Sequence, residues 1–218
     1  MLPDADVMKM IIDERRRTAD LVESLDPEQL NSPSLCAAWT VKEVIGHLIA
    51  AVATPNSSAL LLLLRSGFRI HKANARLAVM MADRPADELA ALLRTHAENP
   101  FRPPIVGYPG QLTDLQVHGQ DIRRPLGLPQ DLRPERLRVS LDFLVGGRAV
   151  GFVPKRRPAG LRFETTDLDW AWGDGPRILG TAEAVMLALT GRHVALADLS
   201  GDGVAELKDR TSDPAGKN

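Results

Sequence analysis

At 218 residues the chain is long enough for one large domain or two small ones, and 44% hydrophobic with 25% charged residues excludes a disordered, collagenous or disulfide-scaffold chain. Its 27 basic and 28 acidic residues leave a net charge of −1, which excludes the broad positive field on which nucleic-acid binding draws. The single cysteine, Cys36, excludes an internal disulfide or a cysteine-rich metal cluster, and points to a reducing compartment, so a cytoplasmic location is expected.

The N-terminus has neither the basic start nor the apolar stretch of a secretory signal, and the densest aliphatic run, 59–64, is too short to span a bilayer. No membrane partner is expected. Met8, Ile11, Ile12, Ala19, Val22 and Leu25 recur at helical spacing, which predicts an amphipathic helix from about Asp4 to Leu25, stopped by Asp26-Pro27. Thr40-Val41-Lys42-Glu43 is a capping box and starts a second helix. Along it Val41, Val44, Ile45, Leu48, Ile49 and Val52 fill one broad side, while Gly46, Ala50 and Ala51 keep the others small, so it is expected deep in a bundle until Pro55. Residues 57–81 and 85–98 read as two more helices, the latter with Pro85 in its first turn.

Seven of the 16 prolines fall between residues 100 and 134, yet Gly110 to Arg123 is proline-free and predicts a short helix. Fifteen of the 17 glycines lie beyond residue 99, where the composition turns to a helix near Glu135–Val145, glycine-rich turns and strand-like runs at Leu161–Thr165 and Leu168–Trp172. A last helix is expected over about Ile178 to Leu189, ended by Gly191, with a frayed polar tail after Leu207. The expected fold class is α+β: a helical bundle over residues 1–127, then a small α+β domain over 128–218.

The residues best able to carry chemistry are Asp114 and His118, four apart and so on one helix face, where they can hold one ion between them. His47 on the second helix can supply a third ligand, which leaves a coordination position open as in catalytic zinc sites. Each also has a plainer reading: the pair as a helix-surface hydrogen bond, His47 as a core histidine bonded to a backbone carbonyl. Asp121, one turn past His118, can orient it or pair with Arg123 or Arg124 at the surface. His71 and His96 read as surface residues, and Cys36, with no basic neighbour in sequence to lower its pKa, as a small buried hydrophobe. Trp170 and Trp172 alternate and are expected on one face of a strand, packed against helices.

Trp39-Thr40-Val41-Lys42-Glu43-Val44-Ile45-Gly46-His47-Leu48, with Val117-His118-Gly119-Gln120-Asp121-Ile122 some seventy residues on, resembles the mycothiol-dependent maleylpyruvate isomerase family. Thr165-Thr166-Asp167-Leu168-Asp169-Trp170, Gly173-Asp174-Gly175, Leu189-Thr190-Gly191-Arg192 and Leu199-Ser200-Gly201-Asp202-Gly203 are similar to its C-terminal domain, so the resemblance runs in order along most of the chain. It implies a four-helix bundle of the DinB type and a smaller domain resembling sterol carrier proteins. It implies a divalent ion on His47, Asp114 and His118, zinc before nickel or iron, and a catalytic arginine for which Arg192 is the best match. Arg192 is equally a cation placed at a helix C-terminus. The family's carboxylate is a glutamate, one methylene longer than Asp114.

The implied activity is activation of a low-molecular-weight thiol, mycothiol, for addition to an electrophile, in an isomerase or an S-transferase. A non-catalytic binding module for a small molecule or a protein is the alternative, and the Asp114 departure keeps it open. A DNA-damage role, suggested by the name of the bundle fold, lacks the basic patch it needs.

Overall fold

The computed structural model describes residues 2–36, 39–54 and 70–212. The architecture is α+β, a helical N-terminal region followed by helices and a small three-stranded sheet. Two compact units share the chain: Ala5–Phe101 with Asp114–Gln130 form one, and the other comprises Arg102–Thr113, the residues from Asp131 on and the first few residues. No described helix is long and apolar enough to cross a membrane.

In the first unit the expected helices form at Asp4–Ser24, Val41–Ala53 and Ala86–Thr95, and Ile70–Ala82 covers the second part of the helix expected over 57–81. The first part of that expectation, and the aliphatic run 59–64, lie outside the described residues. Asp26-Pro27 does more than stop the first helix: Asp26 caps a short helix, Pro27–Asn31, through a capping box with Gln29. The Val41–Ala53 helix starts on Thr40, whose hydroxyl accepts from the Glu43 amide while Glu43 reaches back to the Thr40 amide. Its six predicted core positions are all buried, and Val41, Val44, Ile45 and Ile49 share one cluster with Ala19, Val22, Leu89, Leu93 and Ile122. A Cβ on Gly46 would stand 2.3 Å from the Ala78 carbonyl oxygen, so this helix meets Ile70–Ala82 backbone to backbone.

Helix Asp4–Ser24 also buries charge, which its apolar spacing did not reveal. Arg15 is 2% exposed, and its Nη1 donates to the carbonyls of His96, Ala97 and Asn99 at 3.2, 2.7 and 3.0 Å, where the Ala86–Thr95 helix ends. Arg15→Met should therefore lower stability by about 2–3 kcal/mol in urea denaturation, because buried carbonyls lose their donor. Arg16, whose bond to Glu98 lies at the surface, should tolerate the same change within about 0.5 kcal/mol.

The helix expected over Gly110–Arg123 begins earlier, at Gly107, because Pro109 falls in its first turn, where a missing N–H costs nothing. In the second unit helix Pro134–Val145 precedes strands β1 (Arg162–Thr165), β2 (Ala171–Trp172) and β3 (Arg177–Gly180), ordered β2-β1-β3. β1 pairs antiparallel with β2, Phe163 opposite Trp172, and parallel with β3, Phe163 opposite Ile178.

Three expectations are corrected here. Ile178 lies in β3 and not in a helix; the helix is Ala182–Leu189, capped by Thr181 and buried at every residue, since a short apolar run reads equally as strand or helix. Trp170 precedes β2, so it shares no strand face with Trp172; its indole Nε1 donates to Asp142 at 2.8 Å and the ring is buried. The polar tail does not fray at Leu207, because helix Val204–Ser212 runs past it and buries Leu207 and Thr211. Gly191 does follow the end of Ala182–Leu189, at φ +91°.

Candidate metal centre

Two helices and one loop of the first unit build the site. His47 stands on the second turn of the Thr40-capped helix, and Asp114 and His118 project together from Gly107–Arg123. His47 Nε2 lies 3.4 Å from Asp114 Oδ2, and His118 Nε2 lies 3.5 Å from Asp114 Oδ1. One ligand atom from each residue lies within 4.8 Å of the other two. Ligands of a tetrahedral zinc ion at about 2.0–2.1 Å stand roughly 3.3–3.4 Å from one another, so small rotations bring this set onto one ion. The donors, two imidazoles and one carboxylate, suit zinc, nickel or iron better than the oxygen-seeking calcium or magnesium.

Asp121 stands behind His118. Its side chain is fully buried, with Oδ2 2.8 Å from His118 Nδ1, while its backbone carbonyl accepts from the Leu35 amide at 3.1 Å. A carboxylate that accepts a hydrogen bond from Nδ1–H leaves the lone pair on Nε2, the atom turned toward Asp114 and His47. Asp121 is buried and in contact with His118, the partner that the orienting reading names.

Trp39, which the sequence shows only as a motif residue ahead of the cap, also belongs to the site. Its ring centroid lies 5.1 Å from that of His47, with planes 32° apart, and 6.2 Å from that of His118. The two imidazoles are 4.9 Å apart and edge to face. The loop that brings Trp39 here is closed by a bridge between Pro33 and Thr40, with Ser34 N donating to Trp39 O. The available signal was its place just before the cap, a position whose apolar side chains fold back along the helix.

Burial is the largest influence on His47 and lowers its pKa, but the Asp114 charge and hydrogen bond, with the Asp121 charge, outweigh it and leave the pKa above the usual value. In metal-free protein the His47–Asp114 pair thus contributes fully below about pH 6.5 and is lost as pH rises through the elevated value. A metal ion reverses the sign, since it needs the neutral imidazole. Between pH 6 and 8 the melting temperature of metal-free protein should fall relative to that of His47→Gln, while the increment from added zinc should grow.

Arg192 belongs to the other unit, where its Nη1 donates to the Thr190 carbonyl at 3.0 Å, the contact of a helix C-terminal cation. Cys36 is half-buried against the helical core, and its carbonyl accepts from the Trp39 amide. His96 is half-buried, with its carbonyl on Arg15. The side chain of His71 lies outside the described residues.

Residues 12–99 match the family model described as Mycothiol maleylpyruvate isomerase N-terminal domain. Among solved structures, the mycothiol-dependent maleylpyruvate isomerase in a histidine-to-alanine mutant aligns with a TM-score of 0.61 at 12% identity, covering 92% of this chain and 93% of that one. The same enzyme without that mutation aligns at 0.54, with the same identity and coverage. No curated protein matches the chain. The suspected family is the one that the N-terminal match finds, and the fold is shared along nearly the whole chain.

Proposed function

We propose that this chain, whose N-terminal helices match the mycothiol maleylpyruvate isomerase domain, binds one divalent ion on His47, Asp114 and His118 and activates mycothiol for attack on an electrophile. The observation that carries the reading is the convergence of three ligand atoms with a buried carboxylate fixing the tautomer of one of them. When bound, the ion supplies a Lewis-acidic position at which a thiol loses its proton near neutral pH. His118 is held by Asp121, and His47 by Asp114 and the close helix contact at Gly46, so the ligand set needs little reordering. The protein offers one half-buried cysteine, so the nucleophilic sulfur comes from a small cofactor.

Arg192 is the catalytic arginine of this reading. Addition to a conjugated double bond, rotation and elimination give isomerisation; retention of the adduct gives S-transfer. The test is metal analysis of chelator-free protein, then an assay for mycothiol addition to maleylpyruvate. Protein that binds no divalent ion and forms no thiol product would leave the binding-module reading in its place.

Asp114 is the informative position. Its two oxygens already stand at 3.4 and 3.5 Å from the two imidazoles, so the shorter side chain spans the gap without its missing methylene. Asp114→Glu should keep zinc affinity within about tenfold, whereas Asp114→Ala should lose on the order of a hundredfold in competitive chelator titration.

A further inference from the structure

Trp39 stands one residue ahead of the Thr40 cap, where an apolar side chain ordinarily packs on the first turn of the helix, here at Val44. Its indole reaches one turn further, to His47. The two rings lie 5.1 Å apart with planes 32° from parallel, inside the range of an offset stack, and the His118 ring is 6.2 Å away. Trp39 is half-buried and packs on the hydrophobic cluster that contains Val44, Ile45 and Ile122. The backbone that presents it is fixed on both sides. Its N–H donates to the Cys36 carbonyl at 2.8 Å, and its own carbonyl accepts from Ser34 N at 3.1 Å and from Ser34 Oγ at 2.8 Å.

The two imidazoles of the site are held by different means. Behind His118, Asp121 lies 2.8 Å from Nδ1 and fixes the ring by a hydrogen bond. His47 has no counterpart of Asp121, since no described residue bonds its Nδ1, neither a carboxylate nor the backbone carbonyl that a core histidine uses. Its bond to Asp114 runs through Nε2, the atom that a metal ion takes. Once Nε2 is given to an ion, the described ring contacts left to the imidazole are the indole face and the edge of His118.

We propose that Trp39 is a positioning residue of the metal centre: its indole face holds the His47 imidazole so that Nε2 points at Asp114 and His118, the task that the Asp121 carboxylate performs for His118. The two supports differ in charge. A carboxylate behind a ligating imidazole makes it more basic, whereas an indole orients the ring and adds no charge. One charged and one neutral support leave the centre less electron-rich than two carboxylates would, which favours loss of the proton from a bound thiol. That bearing on thiol activation rests on the metal reading proposed above; the hold on the ring does not.

Side-chain NMR relaxation of isotopically labelled histidine reads the hold in metal-free protein, and competitive chelator titration reads its effect on zinc. In wild type the His47 ring should be as ordered as the His118 ring. Trp39→Leu keeps apolar bulk without a flat face; it should free the His47 ring, leave the His118 ring ordered, and weaken zinc binding about tenfold or more. Trp39→Phe returns an aromatic face and should restore both order and affinity. Asp114→Ala removes the hydrogen bond of His47 but not the indole, so its His47 ring should stay ordered. A His47 ring that is mobile in wild type or in Asp114→Ala, or that stays ordered in Trp39→Leu, overturns the proposal and leaves Trp39 a filler of the core. Zinc affinity equal in Trp39→Leu and wild type, or lost alike in Trp39→Leu and Trp39→Phe, overturns it as well. Wild-type protein that binds no zinc, with the ring freed in Trp39→Leu, keeps the hold and overturns the metal reading instead. Should Trp39→Leu fail to fold, the rings of wild type and Asp114→Ala decide.

Discussion

Replacement of His118 by alanine should lower zinc affinity by at least about a hundredfold, reduce thiol transfer to background, and cost about 2–3 kcal/mol of folding stability even in metal-free protein. The first two losses follow from removing one of three ligand atoms that converge within 4.8 Å. The third follows from what lies behind: Asp121 is fully buried, and the 2.8 Å bond to His118 Nδ1 is removed from a charged acceptor with no access to water. His47→Ala should match it in metal and activity but not in stability. Its partner Asp114 has a side chain 28% exposed, and water replaces the lost imidazole there. Chelator titration and urea denaturation of the two variants side by side check the difference; equal stability losses would mean that Asp121 does not depend on His118.

Gly46→Val should be as damaging without touching any ligand. The first atom of the new side chain would stand 2.3 Å from the Ala78 carbonyl oxygen and 3.1 Å from the Ala82 nitrogen, both backbone atoms that no rotamer change can move. One of the two helices must shift, at a cost of about 3 kcal/mol. His47 is the next residue, so the shift should weaken zinc binding by roughly tenfold or more, since ligand placement tolerates about 0.5 Å. Gly119, on the helix that carries Asp114 and His118, has nothing within 4 Å of the same added atom. Gly119→Ala should raise stability by about 0.5–1 kcal/mol and leave zinc affinity unchanged. Thermal denaturation and zinc titration of both variants separate steric from intrinsic helix effects.

Much of the site was legible because its parts are local. The capping box at Thr40 and Glu43 shows where the His47 helix begins, and the four-residue spacing of Asp114 and His118 shows that they share a face. The place of Asp121 was not legible, because the same spacing serves a surface ion pair, and Leu35, whose amide bonds its carbonyl, lies some eighty positions earlier. Arg15 was hidden for a related reason: an arginine among charged residues reads as solvated until the carbonyls it serves, some eighty positions away, are placed beside it. The sheet was partly legible. β1 and β2 showed as apolar alternation, but β3 from Ile178 on read as the start of the helix that follows, because its short apolar run suits strand and helix equally.

The bond between His47 and Asp114 joins positions roughly seventy residues apart, across most of the helical unit. In the unfolded chain, closing so long a loop carries a large entropic cost, and the nearby pair Asp114 and His118 is aligned only once its helix exists. An ion binding all three residues therefore has little hold on the unfolded chain and a strong one on the folded chain. Such an ion would act as a reversible cross-link between the two helices that carry its ligands, stabilising the folded unit in proportion to its concentration.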